Sequence, residues 1–147
     1  MDHQFDLDFQ QRLLEGVSRS FAFTIPQLPG VLRRVVTNVY LLCRIADTIE
    51  DESALTTGQK WFFFEELIAI VSDNASPEKF IRELLPLLSG ATSPAEQELI
   101  RNFHRVISIT RSLSGQERAT LERSIRLMCT GMGRFQEWKS PQGLKNL

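Results

Sequence analysis

The chain has 147 residues, 42% of them hydrophobic and 24% charged, and a formal net charge of −1; this fits one ordinary globular domain or part of a larger one. No Lys/Arg block is dense enough for a nucleic-acid footprint, so an anionic ligand would have to be held by a few local arginines and bound metal. The polar, acidic start Met1-Asp2-His3-Gln4 does not read as a signal peptide, and no stretch approaches the ~18 uninterrupted apolar residues of a spanning helix, so a soluble, cytoplasmic protein is expected.

Apolar residues recur at spacings of three and four almost throughout, strict alternation is absent, and the expected fold class is all-α with about six helices. The first is expected over residues 7–17, and the turn around Pro26 and Pro29-Gly30 separates it from a second over 31–52. A third, over 57–72, carries Trp61-Phe62-Phe63-Phe64. Those aromatics read as core on an amphipathic helix; the other reading is a greasy surface that meets a membrane from one side. Pro77 suits the first turn of a short fourth helix ending near Leu88. Ser93-Pro94-Ala95-Glu96 opens a fifth that is expected to run unbroken to about Leu113. Ser114-Gly115 ends it, a sixth covers 116–138, and residues 140–147 read as loop.

Cys43 and Cys129 lie far apart in apolar helical stretches without disulfide or metal spacing, so they read as small buried hydrophobes in a reducing compartment. His104, among Phe103, Val106 and Ile107, and His3 read as structural or solvated. Arg101, Arg105, Arg111, Arg118, Arg123 and Arg126 alternate with acids and read as solvated faces.

The second helix is unlike the others. Val31, Leu32, Val35, Val36, Val39, Leu41, Leu42, Cys43, Ile45, Ala46 and Ile49 cover nearly its whole circumference, which places it in the interior of an all-α assembly. Its polar residues are concentrated: Tyr40, Arg44, Asp47 and Asp51 fall within about 60° of one another at 3.6 residues per turn, with Glu50 beside them. Burying several carboxylates together is costly without a compensating cation. Carboxylates one turn apart suit magnesium, which bridges protein carboxylates to substrate phosphates, and Arg44 would meet a phosphate oxygen. The same spacing also reads as a solvated helix end with an Arg44–Asp47 surface pair.

Ser18-Arg19-Ser20-Phe21, followed by Tyr40-Leu41-Leu42-Cys43-Arg44-Ile45-Ala46-Asp47-Thr48-Ile49-Glu50-Asp51, resembles the squalene/phytoene synthase family of head-to-head prenyl-diphosphate synthases. The Asp-Thr-Ile-Glu-Asp run looks most like the first acidic motif of squalene synthases. Cys129-Thr130-Gly131-Met132-Gly133 is similar to a small-residue helix preceding the family's substrate pocket, and Gly143-Leu144-Lys145-Asn146-Leu147 to the run into its next helix.

The resemblance implies the helical isoprenoid-synthase fold and condensation of two farnesyl (or geranylgeranyl) diphosphates through a cyclopropyl diphosphate, with NADPH reducing it in squalene synthases. It implies magnesium on Asp47 and Asp51 assisted by Glu50, and phosphate contacts from Arg44 and Arg19. Ser18, Ser20 and Phe21 would shape the diphosphate pocket, and Tyr40 would face the reacting carbons. No dinucleotide fingerprint marks NADPH contacts. The family's second aspartate-rich motif has no counterpart: Asp73 stands alone and residues 117–122 do not match. Residues 1–147 are therefore expected to be the front portion of one such domain, without turnover alone. Phytoene or dehydrosqualene synthesis is the neighbouring reading, and a non-catalytic helical interaction module the reading from another class.

Overall fold

A computed structural model describes residues 4–17 and 30–139. Among these residues there are seven α-helices and no strand: α1 (Gln4–Val17), α2 (Gly30–Asp51), α3 (Thr57–Val71), α4 (Pro77–Leu84), α5 (Pro94–Arg101), α6 (Phe103–Ser112) and α7 (Gly115–Lys139). A 3₁₀ turn, Leu85–Leu87, continues α4. None of the described helices is long and apolar enough to cross a membrane.

Local chemistry sets where the helices begin. Thr56 and Gln59 at α3 exchange side-chain-to-backbone hydrogen bonds of 2.8 and 3.1 Å, and Ser93 and Glu96 at α5 do so at 3.3 and 3.2 Å. Ser114 and Glu117 repeat the arrangement at α7, at 3.0 and 3.2 Å. Each pair satisfies two backbone donors that a helix start otherwise leaves without partners. α4 has no such side-chain cap and starts on Pro77, whose missing N–H loses nothing there.

The expected fifth helix is two helices. The apolar pattern runs through Leu99, Ile100, Phe103, Val106 and Ile107 without a visible break, yet Asn102 leaves helical geometry at φ −106°, ψ 17°. Its Nδ2 donates to the Glu98 carbonyl at 2.8 Å and to Glu98 Oε1 at 2.9 Å. An asparagine that satisfies the backbone with its own amide competes with the helical ladder. The kink turns α6 so that Val106 and Thr110 meet α1 and α2 through the asparagine network described below.

α2 is the central element and touches α1, α3, α5, α6 and α7. Leu41, Leu42, Ile45, Ala46 and Ile49 are fully buried, together with Phe64 and Leu67 of α3, Phe103 and Val106 of α6, and Cys129 of α7. Burial does not extend round the whole helix as expected from its composition. Leu32 is exposed, and Val35, Val36, Val39 and Cys43 are half-buried, while three polar residues, Thr37, Asn38 and Thr48, lie inside. Asn38 is accommodated because it is satisfied: Nδ2 donates to Gln10 Oε1 of α1 and to the Val106 carbonyl of α6, each at 2.9 Å, and Oδ1 accepts from Thr110 Oγ1 at 2.7 Å.

The aromatic run is mainly core. Phe63 and Phe64 are buried, and Phe63, Phe80 and Phe103 form an edge-on and tilted series with centroids 5.8 and 4.9 Å apart. Phe62 alone of the four is largely exposed, at 44%. Trp61 is half-buried, donates from Nε1 to Glu137 Oε1 at 2.7 Å and lies flat on Gly133 of α7. The basic residues are less uniformly solvated than expected. Arg105 is half-buried with its guanidinium 4.2 Å from the Phe9 ring centroid, and Arg111 pairs with Asp73 at 3.1 Å. His104 is exposed, and His3 lies outside the described residues. Cys43 and Cys129 are free thiols, and burial, with Cys43 nearby, pushes the Cys129 thiol up to about 12.

A Cβ built on Gly133 would lie 2.5–2.6 Å from Cζ2, Cε2 and Cη2 of Trp61. Gly133→Ala is therefore expected to lower unfolding stability by about 1–3 kcal/mol, through overpacking of the α3–α7 contact. Trp61→Phe, which removes the ring that the new methyl strikes, should recover part of that loss in the double variant. Chemical denaturation of the four proteins checks both effects, and additive losses would contradict the contact.

Candidate active site

The polar stripe occupies the C-terminal half of α2. Tyr40, Arg44, Asp47 and Glu50 are half-buried and Asp51 is exposed, so the stripe borders the core and opens to solvent at the helix end. Ser18, Arg19, Ser20 and Phe21 lie outside the described residues.

Arg44 does not primarily pair with Asp47. Its Nη1 is 3.7 Å from Asp47 Oδ2, whereas its Nη2 donates to Glu96 Oε2 of α5 at 3.0 Å. Thr48 Oγ1 donates to the same Glu96 oxygen at 2.8 Å and to the Arg44 carbonyl, also at 2.8 Å. The other Glu96 oxygen, Oε1, accepts from Ser93 Oγ at 2.8 Å and from Ser93 N at 3.3 Å. Arg44 Nε is buried and has no hydrogen-bond partner among the described residues.

The carboxylates fall into two kinds. Burial raises Asp47, and Asp51 and Glu96 add to this by repulsion against the opposing pull of Arg44. Burial likewise raises Glu50, with Asp51 and Asp47 adding to it and Lys60 and Lys139 opposing. Glu52 and Glu96 go the other way. Burial would raise Glu52, but the Ser89 N–H and hydroxyl, the Ala54 backbone and Thr92 donate to it and hold it low. Burial would also raise Glu96, and Ser93, Thr48 and Arg44 outweigh it. Buried carboxylates surrounded by donors stay ionised, whereas those facing other carboxylates resist ionisation.

Lys60 supports the end of the stripe from below. It is buried, donates from Nζ to the Glu50 carbonyl and, at 3.2 Å, to Gln136 Oε1 of α7. Burial and Lys139 lower its pKa. An ammonium against a carbonyl of the last turn satisfies an acceptor that the helix itself leaves open and complements the negative end of the dipole.

Among the described residues no group of three His, Cys, Asp or Glu side chains is gathered closely enough to hold a metal ion. The donor chemistry nevertheless suits a hard divalent cation, since Asp47, Glu50 and Asp51 offer only oxygen and burial and neighbouring carboxylates raise two of them. Magnesium commonly takes one or two protein carboxylates and completes its shell with water and phosphate oxygen, so a preassembled cage is not required. Toward the N-terminal half of α2, an apolar groove of about 290 Å³ opens between α2 and α7. Val35, Val39 and Leu121 form its greasy wall, and Gln116, Glu117, Thr120 and Ser124 its polar rim.

Glu96, Lys60 and Glu52 were not among the residues marked by the sequence. Glu96 was recognisable only as the third residue of a helix cap, and nothing in its spacing locates it opposite Arg44.

The profile of the squalene/phytoene synthase family matches residues 14–146. The chain is similar to "Squalene synthase BSS" of Botryococcus braunii, at 35% identity over 109 residues, covering 67% of this chain and 24% of that protein. It is 48% identical over 48 residues to the squalene synthase of Solanum lycopersicum, covering 33% of this chain and 12% of the other. Lycopaoctaene synthase of Botryococcus braunii matches at 47% over 47 residues, covering 32% and 11%. The matched stretches thus span at most 24% of the length of these three relatives.

The Glu96 contacts predict a pH signature. A glutamate held below its ordinary 4.5 contributes stability that is fully present above that value and is lost as pH falls through the lower folded-state value. Stability of the wild-type chain should fall across that acid window, and Glu96→Gln should flatten this part of the profile. Denaturation midpoints measured from pH 6 downward check it; an unchanged slope would mean that Glu96 is not held by these donors.

Proposed function

The chain belongs to the squalene/phytoene synthase family, and we propose that the protein is a squalene synthase condensing two farnesyl diphosphates head to head, with magnesium and NADPH. The observation that carries this reading is the half-buried acidic face of α2, where burial and neighbouring carboxylates raise Asp47 and Glu50 even though Arg44 lies 3.7 Å from Asp47. Such a face is short of positive charge, and magnesium with an allylic diphosphate supplies it.

On this reading Asp47 and Asp51, with Glu50 assisting, hold magnesium, whose charge would offset that gathering on the departing diphosphate. Arg44 donates to a phosphate oxygen, an interaction that strengthens as negative charge develops on the leaving group. Ser18, Arg19, Ser20 and Phe21 are assigned to the diphosphate pocket by the same proposal. Tyr40, one turn before Arg44, faces the reacting carbons. The groove walled by Val35, Val39 and Leu121 keeps water from the prenyl chain, which protects a carbocation from capture. NADPH is proposed as the reductant of the complete protein, and no residue here is assigned to it.

A second reading keeps the ionisation chemistry and differs in the reduction and the product. The lycopaoctaene synthase match is almost as high as the tomato squalene synthase match over a stretch of nearly the same length. These matches therefore do not separate one hydrocarbon product from another, and a phytoene- or dehydrosqualene-type product is the alternative.

The natural reading frame, expressed through to its own stop codon, should give squalene from farnesyl diphosphate and Mg²⁺ only when NADPH is present. Asp47→Asn should lower that rate by roughly 10²–10³ while leaving the fold intact. Extraction and mass spectrometry read the product. A condensed product independent of NADPH would move the protein to the carotenoid type. No condensed product, from a folded protein offered both farnesyl and geranylgeranyl diphosphate, would favour a non-catalytic helical module instead.

A further inference from the structure

Glu96 holds two positions at once. As the third residue of α5 it completes the Ser93 cap with one oxygen, Oε1. The cap needs no more than that. Oε2 instead reaches α2 and accepts from both Arg44 Nη2 and Thr48 Oγ1. The carboxylate is therefore fixed from both sides, by the start of α5 and by a threonine inside the acidic motif. Its side chain is only 15% exposed.

This has a consequence for Arg44. A guanidinium is planar, so holding one edge fixes the direction of its remaining N–H groups. Glu96 takes an Nη2 hydrogen, Asp47 stands off Nη1 at 3.7 Å, and Nε has no partner among the described residues. Here one edge is clamped; Nε is buried, and the donor capacity that remains lies on Nη1 and the second Nη2 hydrogen.

We propose that Glu96 is a positioning residue: from the first turn of α5 it clamps one edge of the Arg44 guanidinium, leaving the free N–H groups aimed for a phosphate oxygen. The inference rests on the reading of Arg44 as a diphosphate contact. It adds a second helix to the site, because the direction of the arginine on α2 then depends on the cap of α5. Thr48 serves the same end by keeping Oε2 on the α2 side.

The test is a double-mutant cycle on the complete protein, with wild type, Glu96→Gln, Arg44→Gln and the double variant assayed on farnesyl diphosphate and Mg²⁺. Glutamine keeps the third position of the capping box usable, so the fold should persist, as melting curves would verify. Glu96→Gln is expected to lower kcat roughly tenfold with little change in KM, since the contact it directs matters most as the leaving group gains charge. In the Arg44→Gln background the same change should have almost no further effect, because there is no guanidinium left to direct. Equal losses in both backgrounds would mean that Glu96 acts only through stability, and the proposal would fall. An unchanged kcat in Glu96→Gln, with Arg44→Gln impaired, would overturn it too. If Arg44→Gln itself turns over normally, the reading of Arg44 fails first and the role of Glu96 goes with it. Should Glu96→Gln not fold, Glu96→Ala together with the same Arg44 variant completes the cycle under the same criteria.

Discussion

The constraint on which the rest depends is that a central helix must carry charge out of a core. α2 is fully buried through Leu41, Leu42, Ile45, Ala46 and Ile49, yet within one or two turns it bears Arg44, Asp47, Glu50 and Asp51, with Glu52 directly after its end. Desolvating such groups costs several kcal/mol each unless partners replace the lost water. The helices around α2 supply most of those partners. α5 brings Glu96 to Arg44 and Thr48, the loop before α5 brings Ser89 and Thr92 to Glu52, and α3 brings Lys60 to the Glu50 carbonyl. The packing arrangement and the electrostatic arrangement are therefore the same set of contacts.

What those partners leave undone is as informative. Glu52 is 1% exposed and fully supplied with donors, so it stays ionised and serves as a staple between α2 and the loop before α5. Asp47 and Glu50 receive no comparable set of donors; burial and neighbouring carboxylates outweigh the pull of Arg44 on Asp47 and of Lys60 and Lys139 on Glu50. Glu50 in the last turn of α2 and Glu52 just past its end thus have opposite environments. A fold selected only for stability would lose nothing by supplying donors to both. Leaving one face undersupplied costs stability and makes sense where a cation arrives with the substrate, which is why this face carries the functional proposal.

The sequence made visible whatever is set by spacing along one helix. The stripe of Tyr40, Arg44, Asp47 and Asp51 could be read because its residues lie about one turn apart on a single helix, and the caps at Ser93 and Pro77 because their signals are local. Asn102 was not legible: the apolar pattern from Leu99 to Ile107 continues across it, and the break depends on where its amide points. The full burial expected round α2 was overstated for a similar reason. Composition counts Val35, Val36 and Val39 as core, but their exposure depends on which neighbouring helix covers them. Glu96 and Lys60 were missed because each is defined by a partner 52 or 10 residues away, a relation that no periodicity encodes.

The division of labour within α2 also bears on specificity. Charged and hydrogen-bonded groups gather at its C-terminal end, while the groove at Val35 and Val39 lies toward its N-terminal half against α7. On the proposed reading, the first region governs the departure of diphosphate, a step shared by every condensation of this type. The second holds apolar chain, where one methylene is worth only about 1–3 kcal/mol of discrimination. Changes in the groove walls could therefore alter which prenyl chain or product is favoured without disturbing the ion pairs one or two turns away. On that proposed reading, the groups assigned to ionising the substrate and the groups assigned to its chain occupy different turns of one helix, so one set can change while the other stays as it is.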